Sequence, residues 1–183
     1  MWPALDLLDR RVFLQNLTFI HSVIAATPKL LSVAMQESHG HLAAYFESHL
    51  EEERDHAAWL AEDLRSASIE ISKVDISPEA AAMAGSQYYL LYHIDPTALL
   101  GYMAVLECFP MTEHQIDALE FAHGTKLCRT LRHHATHDIE HGADVLDEID
   151  RLTPPQFNRA AQNALQTSFY IRAASARFSG VVA

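Results

Sequence analysis

Through most of this 183-residue chain, apolar residues return at alternating steps of three and four, the spacing of helices packed on one another. Two stretches show it best. From His41 to Ser66 the series runs Leu42, Phe46, His49, Glu53, His56, Leu60 and Leu64. From Thr125 to Leu152 it runs Leu127, Leu131, His134, Asp138, His141, Val145, Ile149 and Leu152. Both series start and finish on apolar residues, and both carry imidazoles and carboxylates in the middle. An inward stripe is a costly place for such groups, because burying an ionised acid costs several kcal/mol unless a cation or hydrogen bonds compensate.

Glycine and proline are scarce, 6 and 7 residues, and they fall where helices should begin and end. The spacing predicts a helix from Ala4 to about Ala26, with Thr27-Pro28 as an N-cap and first-turn proline restarting a helix to about Glu37. Gly40 precedes the His41–Ser66 helix. Ser66 to Ser77, the only stretch with β-like alternation, reads as a connecting loop. A helix over Pro78 to about His93 follows, and Asp95-Pro96 opens another that must end or kink near Pro110. Thr112 and Gln115 form a capping box for a helix that stops before Gly124. After the Thr125–Leu152 helix, Thr153-Pro154 starts a last one reaching about Phe178. Seven or eight helices with short connections and no repeat predict one all-α domain over residues 1–183.

Bulk properties narrow the function. The formal net charge of −11 repels phosphate backbones, and no basic patch offsets it, so nucleic acid is not an expected partner. No apolar run approaches the roughly 20 residues that span a bilayer, and the N-terminus lacks the pattern of a signal peptide. A cytoplasmic protein without a membrane partner is the expectation, as monomer or homodimer. Cys108 and Cys128 lack Cys-x-x-Cys spacing and suit small buried positions. Histidine is the unusual entry: there are 12, and His133, His134, His137 and His141 fall within nine positions.

A third helix adds an isolated acid. In the segment LLGYMAVLECF, Glu107 is surrounded by Leu100, Met103, Leu106 and Phe109. Glu53, Glu107 and Asp138 converging in one core would repel one another and be driven toward protonation, and a pair of divalent cations removes that penalty. Three carboxylates with the imidazoles of His56, His134 and His141 make a mixed oxygen and nitrogen donor set suited to iron. Glu-x-x-His is the helical spacing found in dinuclear carboxylate centres. Each piece also has a plainer reading. His134, Asp138 and His141 alone suit a hydrogen-bonded core network, and Glu107 alone suits a partly exposed helix end. Three helices breaking their apolar stripes together favour the metal. His133, His137 and Glu140 form a row rotated away from the stripe, which suits surface or supporting positions. Glu52 stands one step off the stripe, whereas His49 lies on it as an alternative ligand or supporting donor.

At these residues the sequence resembles the heme-oxygenase-like diiron oxidases and oxygenases. That family's ligands are a Glu and a His on one helix, a Glu on a second, and His-x-x-x-Asp-x-x-His on a third. Glu53 and His56, Glu107 in GYMAVLE, and His134, Asp138 and His141 match in order, and the segment DEIDRLTPPQFNRAAQNALQTSFY is also similar. Some members place the first Glu seven residues before the His, where this chain has His49. The resemblance implies a heme-oxygenase-like helical bundle, two iron ions as cofactor and dioxygen as co-substrate. Glu53, Glu107 and Asp138 would balance charge in catalysis, and His56, His134 and His141 would complete coordination. It further implies a small substrate bearing a carboxylate or amine, such as an amino acid or fatty acid. Desaturation, N-oxygenation, C–C cleavage and decarboxylation are the family's outcomes, with an electron donor as a further partner. Two alternatives keep the scaffold: a non-catalytic metal- or ligand-binding protein, and a cofactor-free thiaminase-type (TenA-like) enzyme. A ferritin-type bundle would want a ligating Glu roughly 30 residues before Glu53, where this chain has Val23. A true heme oxygenase could use His21, but that leaves the six-residue set unexplained.

Overall fold

The computed structural model describes residues 5–180, and among them every regular element is helical. The α-helices are α1 (Arg10–Glu37), α2 (Gly40–Glu53), α3 (His56–Ser66), α4 (Pro78–His93), α5 (Leu99–Glu107), α6 (Glu113–His123), α7 (Arg129–Asp150) and α8 (Pro154–Phe178). Short 3₁₀ turns at Ile71–Lys73 and Pro96–Ala98 complete the set. The Ser66–Ser77 connection therefore contains no strand.

Local chemistry explains most boundaries. Ser77 accepts from the Ala80 amide at the start of α4, and Asp95 accepts from Thr97 in the turn leading into α5. Thr112 with Gln115 and Thr153 with Gln156 form capping boxes on α6 and α8. Gly124 ends α6 with φ 92°, a value that strains any residue with a side chain.

Four expected boundaries move. The start expected at Ala4 lies outside the described residues; α1 begins at Arg10, capped by Asp9. It then runs unbroken through Pro28 instead of restarting there. Proline removes one rung of the helix ladder, but Val23, Ile24, Leu30, Leu31 and Ala34 are buried on either side of it, and that packing holds the axis together. The His41–Ser66 helix, by contrast, is interrupted at Arg54-Asp55. Neither glycine nor proline marks that break, so periodicity reads through it. In the Thr125–Leu152 stretch, residues 125–128 form a turn before α7.

The buried apolar residues form two clusters. One gathers Phe46 of α2, Leu99, Leu100 and Met103 of α5, Val145 of α7 and Phe178 of α8. The other gathers Leu60 and Leu64 of α3, Ile116 and Leu119 of α6 and Leu131 of α7. α1 contributes to both, through Leu30 and Leu31 to the first and Phe13 and Leu17 to the second. By length and composition α1 could cross a bilayer, with mean hydropathy 1.4 in its most apolar stretch. Its shared role in the two cores accounts for that hydropathy without a membrane. Cys128 is buried in the second cluster, and Cys108 is half-buried with its thiol directed at the Gly142 carbonyl.

Candidate metal centre

The two clusters leave a polar layer between them. Along α2 and α3 the order is Phe46, His49, Glu53, His56, Leu60; along α7 it is Leu131, His134, Asp138, His141, Val145. The α2–α3 break falls inside this layer, with Glu53 closing α2 and His56 opening α3. Register survives the break because Arg54 (φ −53°, ψ −41°) and Asp55 (φ −104°, ψ −7°) remain in right-handed helical space. His49, Glu53 and His56 consequently stay buried on one side.

Glu107 reaches the same layer from the last residue of α5. α7 can come close because Gly142 has no side chain: a Cβ there would sit 3.0 Å from the Glu107 carbonyl oxygen and 3.1 Å from Cys108 Cα. The residue beside that contact is His141. One close backbone approach thus brings Glu107 and the α7 histidines into a shared space.

The layer divides into two compact groups. In the first, ligand atoms of Glu53, His56 and His134 lie within 4.8 Å of one another. His56 Nδ1 is 3.0 Å from Glu53 Oε2, although not aligned as a hydrogen bond, and His134 Nδ1 donates to Asp138 Oδ1 at 2.9 Å. In the second, ligand atoms of His49, Glu52 and His141 meet the same limit, with His141 Nε2 3.1 Å from Glu52 Oε2. His49 Nε2 is 3.1 Å from Glu107 Oε1. Glu53 links the halves, its Oε1 lying 4.0 Å from His141 Nδ1. Glu107 and Asp138 stand one step back, each bonded to an imidazole of a different half.

All six residues singled out from sequence therefore meet in one layer, and His49 and Glu52 join them. The signal for His49 was its place on the stripe. Glu52, one step off the stripe and second to Glu53 in the sequence, approaches from the solvent side with a half-exposed side chain. His133 and His137 stack on each other at 3.9 Å, with His137 exposed and His133 packed against Trp59 and His56. They flank the layer, as their rotated row predicted. His21 is half-buried in α1, where burial holds its imidazole below the usual range.

Four buried atoms here have no hydrogen-bond partner: His56 Nδ1, Glu107 Oε2, His134 Nε2 and His141 Nδ1. Orphaned buried polar atoms are rare and call for a cause. Burial pushes the Glu107 carboxyl above the usual range despite its bond to His49, and nearby Glu53 adds to the rise. Burial also acts on Glu53, but His56, His134 and His49 outweigh it and hold that carboxyl low. For His134, burial is overcome by Asp138, which favours the imidazolium. His133 is pushed down to about 4, by burial and by the surrounding histidines. Mixed nitrogen and oxygen donors with unpartnered atoms turned inward fit divalent cations, whose charge would satisfy both the acids and the free imidazole nitrogens.

Beside the layer lies a largely apolar cavity of about 290 Å³. Phe19, Val23, Leu106, Leu131 and Ile171 form part of its wall, and Glu53, Glu107, His134 and Asp138 reach it from the polar layer. Its size is near the lower end for small-molecule sites, roughly 300–1,000 Å³.

Two solved structures share the fold. A domain of unknown function with a heme oxygenase-like fold from Shewanella denitrificans OS217 superposes with TM-score 0.81 at 13% identity, covering 96% of this chain and 82% of that one. A TenA homolog from Pseudomonas syringae pv. tomato DC3000 gives TM-score 0.71 at 12% identity, with 93% and 79% covered. No curated protein is similar enough in sequence to count as a relative. Residues 13–172 match the model of a family described as iron-containing redox enzymes, and with most of its length inside that match this chain belongs to that heme-oxygenase-like family.

Proposed function

We propose that this chain is a non-heme diiron oxidase or oxygenase, using dioxygen to oxidise a small organic molecule held in the cavity beside the polar layer. The observation that carries this reading is the set of unpartnered ligand atoms on His56, Glu107, His134 and His141 next to an apolar space. Glu53, His56, Glu107, His134, Asp138 and His141 form the ligand set, and His49 and Glu52 are at hand for the second position. Iron, when bound, supplies the capacity to bind and reduce dioxygen.

The chain's own residues do the rest. Glu53, Glu107 and Asp138 offset most of the charge of two divalent cations, which makes their burial tolerable. Asp138 takes the Nδ1 proton of His134 in a hydrogen bond and so leaves Nε2 as the ligating atom. The apolar wall keeps water away from the reacting carbon and orients the substrate body. A reaction that inserts a single oxygen atom requires two further electrons from a donor protein or small reductant.

Anaerobic loading with ferrous iron, followed by exposure to oxygen and a screen of amino acids, fatty acids and neutral apolar molecules, tests the reading. About two irons per chain and product formation coupled to oxygen uptake are expected. Loading without product would leave a metal-binding role, and no loading would return these residues to a structural layer, as on a cofactor-free thiaminase-type scaffold.

A further inference from the structure

One group of ligand-type side chains stands outside the polar layer and has no part in the proposed ligand set. His133 and His137, one turn apart on α7, stack with ring centroids 3.9 Å apart and planes 25° from parallel. His137 is exposed and His133 half-buried. The His137 Nδ1 donates to the His133 carbonyl at 3.0 Å, which leaves Nε2 free. Among the described residues no hydrogen bond engages the His133 ring. Two histidines at i and i+4 on one helical face are a recurring pair of transition-metal ligands. Glu140, exposed one turn further on, adds an acid to the same row. The two arginines that precede the pair on α7 are already engaged, Arg129 with Glu62 and Asp63, and Arg132 with Asp117 and Glu120.

The pair also touches the layer. The His133 ring lies 5.1 Å from that of His56 and 6.0 Å from that of His134, and the His56 and His134 rings are 4.8 Å apart. Imidazoles therefore run in contact from solvent to the first compact group of the layer. Glu53, His56, Glu107 and Asp138 are all buried, so an ion reaching them must shed its water on the way. Imidazole nitrogens can replace that water, and an apolar cavity wall cannot. We propose that His137 and His133 form an outer ferrous-iron site, which captures the ion at the surface and passes it inward to Glu53, His56 and His134. This rests on the metal reading of the layer. Each exchange replaces water or one imidazole by the next, and the iron stays ferrous throughout. Ferrous iron stands low in the divalent affinity order, so two imidazoles hold it weakly, as a transfer step requires. The other exposed approach, Glu52 beside His141, offers a single carboxylate in place of a chelating pair.

Trp59 can report on this path, because its ring lies 5.1 Å from His133 and 4.7 Å from His56. Ferrous iron is mixed anaerobically with the whole chain near neutral pH, and tryptophan fluorescence is followed. A chelator added at intervals counts the iron that has become resistant to removal. The unmodified protein is expected to show a fast quenching phase that the chelator reverses, then a slower phase matching the appearance of resistant iron. His137→Ala should abolish the fast phase and slow the second about tenfold, the lower end of what gathering ions at a site adds to a rate. Final iron content and the helical circular dichroism should be unchanged, because His137 is exposed and outside the proposed ligand set. Resistant iron appearing at the unmodified rate in His137→Ala would overturn the inference, and slowing by Glu52→Gln instead would put the entrance at the His141 end. An unmodified protein that loads iron without the fast phase would also overturn it, a result that needs no variant. No resistant iron in the unmodified protein would sink the metal reading of the layer itself, and the passage inward with it.

Discussion

Two buried polar regions of this protein obey opposite rules. Between α4 and α8, Gln87 and Asn163 exchange amide hydrogen bonds of 3.1 and 2.7 Å, and Asn163 also donates to the Ala98 carbonyl at 2.7 Å. Each amide meets its match and the network closes on itself. Between α2–α3, α5 and α7 the polar layer stays open, with four ligand-type atoms unpartnered. A closed network fixes how helices meet, whereas an open one keeps atoms in reserve for something that arrives later. Both regions contain buried polar residues on helix faces; only their bonding tells them apart.

Breaking each region should therefore cost different things. Glu107→Ala or His134→Ala is expected to abolish iron loading, from about two per chain toward none, while far-ultraviolet circular dichroism keeps its helical form. His137→Ala, outside the layer, should leave metal content nearly intact. Asn163→Ala should do the reverse: full iron loading, with stability lower by about 1–3 kcal/mol in urea unfolding, because Gln87 loses its partner. If Asn163→Ala lost iron and His134→Ala kept it, the contrast between the regions would collapse.

A subtler change probes how the open layer is assembled. Gly142→Ala places a methyl group 3.0 Å from the Glu107 carbonyl and should push α7 away from α5. The expected result is about tenfold weaker iron binding, within the range for disturbed supporting residues, read by competition with a chelator. Unaltered affinity would mean that the close approach does not set the geometry of the layer.

The smallest effect concerns protons. In the metal-free protein Glu107 is held above the ordinary carboxyl value of 4.5. Its contribution to stability is thus fully present below about that pH and is lost as pH rises through the folded value. Glu107→Gln should remove this slope and raise the thermal midpoint of the metal-free protein at pH 8, at the expense of iron binding. A steeper slope in the variant would reverse the assignment.

Much of this arrangement was legible in the chain itself. Phe46, His49, Glu53, His56, Leu60 and Leu64 are all buried, in the series that periodicity picked out, and Thr112 and Gln115 form the capping box expected before α6. What escaped has physical reasons. The Arg54-Asp55 interruption carries no breaker residue, and its dihedrals stay helical. Pro28 looked like a helix start because local chemistry favours one, but burial of its neighbours decided otherwise. The closeness of Glu52 to His141 depends on where neighbouring helices leave room, which no spacing within one helix encodes.

α1 gives the polar layer one more property. It supplies none of the six proposed ligands, yet it is embedded in both cores that bracket them. The two halves of the layer are thus bracketed by one continuous helix, whose apolar packing adds to the polar contacts between α2, α5 and α7. Small zinc domains spend much of their binding free energy on folding. Here packed helices already bring the layer's residues together, so metal binding at the proposed centre would call for side chains to turn and not for the chain to fold.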